Sequence, residues 1–161
     1  MRLPFAFASL LALGLTACGN PDTPAGRAAD ARHENFEAIG DAAKAIGDEL
    51  KAAAPDLAKI QTAAATINGF APKVESWFPA GSGPADGIKT DALQAIWLKP
   101  ADFKAETEKF VAEAAKFQAL AQAGDIAAIG AGMKALGGTC KSPRQVPRRR
   151  IICGCQDRGS R

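Results

Sequence analysis

Histidine occurs once in this 161-residue chain and tyrosine not at all. A single imidazole, His33, excludes a histidine-clustered metal centre. No Ser-His-Asp arrangement is suggested, and no phosphate-cradling glycine loop follows a strand. Strand signals are themselves missing, because valine, threonine and aromatics nowhere alternate with polar residues over a strand's length. The apolar run Leu3–Leu15 is too short to cross a bilayer as a stable helix. Aspartates and glutamates fall at helical spacing from lysines, the pattern of a solvated surface. No acid–base or nucleophilic enzyme is expected from such a sequence.

What is present is helix. Hydrophobic residues make up 47% of the chain, enough for one domain with a buried core. In a first helix Phe36, Ile39, Ala43, Ile46 and Leu50 recur every three or four residues. Asp30 is placed to cap its start, Pro55 to stop it, and Asp41, Lys44, Asp48 and Lys51 form its polar face. A second helix runs from Asp56 to about Ala71 on Leu57, Ile60, Ala64, Ile67 and Phe70, with Pro72 ending it. The stretch "PKVESWFPAGSGPADGIKT" is broken by prolines and glycines around Trp77 and Phe78 and reads as an ordered loop carrying aromatic plugs. "TDALQAIW" then reads as a short helix capped by Thr90, or as the lead-in to the next. A third main helix covers Ala101 to Ala123 with Phe103, Phe110, Ala114, Phe117 and Leu120 inward, and Gly124 ends it. Asp125 caps a fourth, with Ile126, Ile129, Met133 and Leu136 apolar. Short connections elsewhere predict an all-α, antiparallel four-helix bundle with one long crossover loop between helices 2 and 3. Gly130, Gly132, Gly137 and Gly138 weaken the fourth helix by about 1 kcal/mol each relative to alanine, so something else should hold it down.

The ends differ from this body. Arg2, the apolar run and small residues before a cysteine read as an export signal over residues 1–17. Leu15-Thr16-Ala17-Cys18 resembles a bacterial lipobox, in which Cys18 is lipidated, although ordinary signal cleavage suits the same run. Residues 18–29 then read as a flexible tether and 30–140 as the bundle. Through Cys140 the chain holds 13 Lys+Arg against 16 Asp+Glu, a net of −3; residues 141–161 hold 7 against 1, a net of +6. The basic character therefore sits in the tail, and the body has no reason to seek nucleic acid. Cys153 and Cys155 are too close for an unstrained mutual bridge, so pairing the four cysteines into two disulfides is not expected.

From about Ala31 to Cys140 the chain resembles the cytochrome c prime family, the class II c-type cytochromes. The likeness rests on Arg32 with an apolar residue four later, "SWFPAGSGP", "AIW", and a last helix ending "GGTCKS". In that family the last helix continues through Cys-x-x-Cys-His, two thiolates bonding the haem vinyls and the histidine ligating iron, and then through x-x-Phe/Tyr-Arg. Here Cys140 supplies the first cysteine, but Pro143 and Arg144 stand where the second cysteine and the histidine belong. Written as codons and regrouped from the second base, "PRQVPRRRI" accommodates His, Asp, Lys, Phe and Arg, followed a few codons later by a stop. A net loss of two bases after Ser142 would turn an ordinary "CKSCHDKFR" ending into the aberrant basic tail, 141–161, which is expected to lack regular structure.

The resemblance implies haem c as cofactor and a role in one-electron transfer or small-gas binding. Cys140 matches the first thioether cysteine. Arg32 matches an arginine near the haem propionates, and Phe36 an apolar residue over the open iron face. His33 stands where relatives often carry a glutamine touching a propionate, and Asp91 would line the propionate edge. Trp77, Phe78 and Trp97 are assigned to packing. With the proximal histidine absent, no metal ligand is assigned, and haem attachment is expected to be compromised. The resemblance further implies a homodimer through the first two helices and a redox partner protein or a gas ligand. Periplasmic location and attachment to the envelope through a lipid at Cys18 follow from the export signal. A haem-less helical lipoprotein acting as a binding or structural module is the competing reading, and residues from Pro143 onward separate the two.

Overall fold

The computed structural model describes residues 20–139; Cys18, Cys140, the leader and the tail lie outside the described residues. Four long helices carry the fold: α1 (Pro24–Glu49), α2 (Leu57–Phe70), α4 (Pro100–Ala123) and α5 (Ile126–Thr139), with a one-turn α3 (Ala95–Leu98) inside the crossover. The expected bundle with its long crossover between the second and third main helices is what forms. None of the helices among the described residues is long and apolar enough to cross a membrane.

The first helix starts earlier than its periodicity suggests. Asp30 is not its cap, and the tether expected over 18–29 is helical from Pro24. Thr23 is extended, and its Oγ1 accepts the Gly26 amide at 3.1 Å. Pro24 follows at the first helical position, where a missing N–H costs nothing. Asp30 instead accepts a 2.7 Å hydrogen bond from Asn20 Nδ2. Asn20 also bridges both backbone groups of Lys89, so the start of α1 is fastened to the crossover.

The α1–α2 corner is closed by Glu49. One of its carboxylate oxygens accepts the Asp56 amide at 2.9 Å and the other meets Lys59 Nζ at 3.1 Å, while Asp56 caps α2 by accepting the Lys59 amide. Pro72 does not stop the chain turning. It occupies the start of a 3-10 segment, Ala71–Trp77, where its ring is tolerated. A second 3-10 turn spans Pro84–Asp86. Thr90 does not cap a helix at this point, because α3 begins only at Ala95; the Thr90 hydroxyl accepts the Ala92 amide and serves another partner described below. Gly124, at φ 81°, ends α4, and Asp125 Oδ1 caps α5 through the Ala127 and Ala128 amides.

The core is the sum of the inward stripes: Ile39 and Ile46 of α1, Ile60 and Ile67 of α2, Phe110 and Phe117 of α4, Ile129 and Leu136 of α5, with Val74 plugging from the 3-10 segment. Phe36, Leu50, Phe103, Leu120 and Met133 are half-buried at its margin. Helix α1 packs on α2, α2 on α4, and α4 on α5, whereas α1 and α5 do not pack on each other among the described residues. The bundle is thus closed on three sides.

Glycine explains how α5 is held. A Cβ at Gly132 would lie 2.6 Å from Leu120 Cδ1 and 3.2 Å from Phe117 Cδ2, so the absence of a side chain lets α5 approach α4 closely. Gly130 and Gly137 lie on the side away from α4, and a Cβ there would meet nothing within 4 Å. G137A is therefore expected to stabilise the protein by up to ~1 kcal/mol through helix propensity. G132L should cost about 1–3 kcal/mol by overpacking; urea unfolding of the two variants beside the parent distinguishes the roles. The corner has a pH signature. The Asp56 amide first, then Lys59, holds the Glu49 carboxyl below its ordinary value of 4.5. A carboxyl lowered on folding stabilises above its unfolded pKa, and that stabilisation disappears as pH falls through the folded one. The thermal midpoint should drop on acidification below about pH 4.5, with a smaller drop in E49Q.

Candidate functional site

Arg32 sits seven residues before Ile39 on the same face of α1 and is 3% exposed. Its guanidinium faces the crossover instead of solvent. Nη1 donates to the Trp77 carbonyl at 3.1 Å and to Ser82 Oγ at 3.2 Å; Nη2 donates to the Ser82 carbonyl at 3.2 Å and to Thr90 Oγ1 at 2.9 Å. The planar fork thereby ties together three points of the crossover that are far apart in sequence. Its flat faces meet aromatic rings, 4.7 Å from the Phe78 centroid and 5.5 Å from that of Trp97. None of these partners is a carboxylate. Burial alone pulls the guanidinium below its ordinary pKa, with no counter-ion opposing the pull.

Around this cation the aromatic residues assemble. The Phe78 ring lies 4.8 Å from Phe103, 5.8 Å from Trp97 and 6.1 Å from Phe36, all inclined edge contacts. Phe36 meets Trp77 at 5.2 Å with perpendicular rings, and Trp77 meets Phe70 at 5.9 Å. Trp97 donates its indole N–H to the Pro79 carbonyl at 3.0 Å and lies over Gly83, where a Cβ would come within 3.0 Å of the indole. The packing role assigned to Trp77, Phe78 and Trp97 is what these distances describe.

The antiparallel course of the bundle gathers these parts at one end. The Arg32–Phe36 turn of α1, the end of α2, the crossover and the last turn of α5 share it, since α1 and α5 run in opposite senses. There the unpacked seam between α1 and α5 is bordered by half-buried Phe36, Met133 and Gly137.

Of the residues singled out from sequence, Arg32 and Phe36 are brought together around Phe78. His33 is not with them: its side chain is 71% exposed and pairs with Glu37 one turn on, Nε2 to Oε1 at 3.2 Å. Asp91 is exposed, one residue beyond the Thr90 that serves Arg32. Cys140 directly follows the last described residue of α5. Sequence reasoning missed Ser82, Thr90 and the Trp77 carbonyl as the partners of Arg32; a loop hydroxyl and a backbone oxygen leave no spacing to read. No group of three or more His, Cys, Asp or Glu among the described residues could hold a metal ion.

A sequence model of the family described as Cytochrome C′ matches residues 27–142. The chain belongs to the cytochrome c′ family. It is 34% identical over 110 residues to the cytochrome c′ of Pararhodospirillum photometricum, covering 68% of this chain and 86% of that protein. The solved cytochrome c prime from Shewanella frigidimarina matches with a TM-score of 0.66 and 30% identity, over 76% of this chain and 93% of that one. A third cytochrome c′, described as having an unusual ligand-controlled dimer dissociation, shares the fold at a TM-score of 0.68 and 19% identity, over 75% of this chain and 93% of its own.

Cytochrome c′ proteins bind haem c. The body of this chain suits a flat apolar group bearing carboxylates: a buried cation without a carboxylate partner, an aromatic wall and an unpacked seam meet at one end. The ligating donors do not suit haem c. One cysteine, Cys140, stands where two thiols are needed; Pro143 and Arg144 cannot form a thioether or ligate iron, and the lone histidine is on the outer surface paired to Glu37. The residues present therefore do not fit haem c as this family holds it.

Arg32 can be tested apart from any cofactor. R32M leaves two hydroxyls and two carbonyls of the crossover without their donor, and a loss on the order of 2–4 kcal/mol is expected. R32K should recover only part, because an ammonium cannot reproduce the fork. Fluorescence of Trp77 and Trp97, the two tryptophans of the chain, follows the crossover directly during urea unfolding. A parent-like midpoint for R32M would remove Arg32 from this role.

Proposed function

We propose that the bundle is the haem-receiving body of an exported class II c-type cytochrome, serving one-electron transfer or small-gas binding, whose covalent attachment is lost after Ser142. The observation that carries this reading is the buried Arg32 cation with no carboxylate beside it, at the end of the bundle where Phe36 and the α1–α5 seam converge. A propionate is the anion that a guanidinium in this setting would receive. Phe36, half-buried against Trp77 and Phe78, is the apolar residue nearest in kind to one that limits access to an open haem face. Asp91 and His33 flank the same end as polar edge residues, and Cys140 is the one thiol available for a thioether. The protein is not an enzyme in this reading.

The Leu15–Cys18 motif supports export to the periplasm with a lipid at Cys18 holding the protein to the envelope. A homodimer through the outer faces of α1 and α2 also belongs to the reading, supported by the likeness to a cytochrome c′ whose dimer dissociates under ligand control. A redox protein or a small gas is the partner.

Protein purified after co-expression with a cytochrome c maturation system should carry little haem that survives acid-acetone extraction. Added hemin with imidazole should nonetheless bind saturably, read from the Soret band. Strong covalent c-type absorption would contradict the lost attachment, and no saturable hemin binding would contradict the haem-receiving body.

A further inference from the structure

The disagreement between a body that suits haem and an ending that cannot attach it is sharply localised. We infer that it lies in positions 143 and 144 alone, and that residues 20–139 need no change for this chain to become a c-type holoprotein. The inference rests on the reading above.

Helix α5 presents one side to α4, through Gly132, and the other to the seam, through Gly130, Met133 and Gly137. At about 3.6 residues per turn, an α5 continued past Thr139 would carry position 144 two turns beyond Gly137 and three beyond Met133. Position 144 would then fall on the seam side of α5, close in angle to Cys140 one turn before it. Position 143 would lie on the neighbouring row, three residues from Cys140, the spacing at which two side chains share a helix face. The register that α5 holds through Leu136, 3% exposed, is thus the one that two thiols and an imidazole need. Pro143 works against it twice. It removes the backbone N–H that would bond the Thr139 carbonyl, and its ring clashes with that carbonyl. Arg144 would bring to the seam a permanently charged group that cannot donate a lone pair to iron.

The space on that side is also present. A Cβ at Gly130 or Gly137 would have no atom within 4 Å, and α1 does not pack there. Thioether formation adds a thiol S–H across a vinyl C=C: an S–C bond forms, the hydrogen goes to the other vinyl carbon, and no oxidant is consumed. Two thiols at 140 and 143 would satisfy two vinyls without further residues.

The test expresses the full chain and P143C/R144H with a cytochrome c maturation system, and measures haem that stays with the polypeptide after acid-acetone extraction. The double variant is expected to rise from a trace to nearly stoichiometric covalent haem. A second variant, P143A/R144H, is made without maturation and titrated with hemin in the absence of imidazole; a histidine-ligated Soret spectrum is expected, which the parent should not give. Far-UV circular dichroism of each variant checks that the bundle is folded. If both variants fail while the parent still binds hemin with added imidazole, this inference is overturned and the haem-receiving body stands. If the parent also fails to bind hemin, both are overturned.

Discussion

A guanidinium buried without a counter-ion is an expensive thing to place in a protein, and the architecture of this one is arranged around it. Desolvating a charge costs several kcal/mol unless hydrogen bonds replace the water it loses. Here the replacement comes from a crossover that has little regular structure of its own: two carbonyls and two hydroxyls, from Trp77, Ser82 and Thr90, converge on Arg32. The dependence runs both ways. Without the cation these acceptors have no reason to share one locus, and without the loop α1 could not bury Arg32. The aromatic residues complete the arrangement, as Phe78 and Trp97 sit against the guanidinium and hand the contact on to Phe36, Phe103 and Phe70.

The helices themselves are supported more ordinarily. Inward stripes of isoleucine, alanine and phenylalanine meet between α1, α2, α4 and α5, and surface ion pairs such as Lys44–Asp48 at 2.8 Å add little in water. What distinguishes the bundle is asymmetry. Three helix–helix sides are packed and one is not, and the glycines of α5 divide accordingly: Gly132 permits contact with α4, while Gly130 and Gly137 keep the opposite side thin.

Much of this was legible in the sequence, for definite reasons. Helical periodicity and local caps are short-range signals, and Asp56, Gly124 and Asp125 act where their positions suggested. The start of α1 was not legible, because Pro24 and Gly26 look like linker residues until Thr23 is seen capping them. Nor was the 3-10 segment Ala71–Trp77, since a proline reads as a stop when it can equally begin a turn. Arg32 and Phe36 stood out through a family likeness, but their surroundings depend on contacts across some 45 to 58 residues of chain, between Arg32 and the crossover. No local pattern encodes those. His33 shows the converse: adjacency to Arg32 in sequence puts it about 100° away around the helix, in solvent beside Glu37.

The bridge from Asn20 to Lys89 bears on how the molecule would stand at a surface. Only Gly19 separates Asn20 from Cys18. At about 3.3–3.6 Å per residue, a lipid at Cys18 could be no more than a few ångströms of chain from the crossover. The anchor would then act as a short mast-step instead of a leash. The crossover end, with Arg32 behind it, would be held toward the bilayer, and the α1–α2 corner at Glu49 would point away from it.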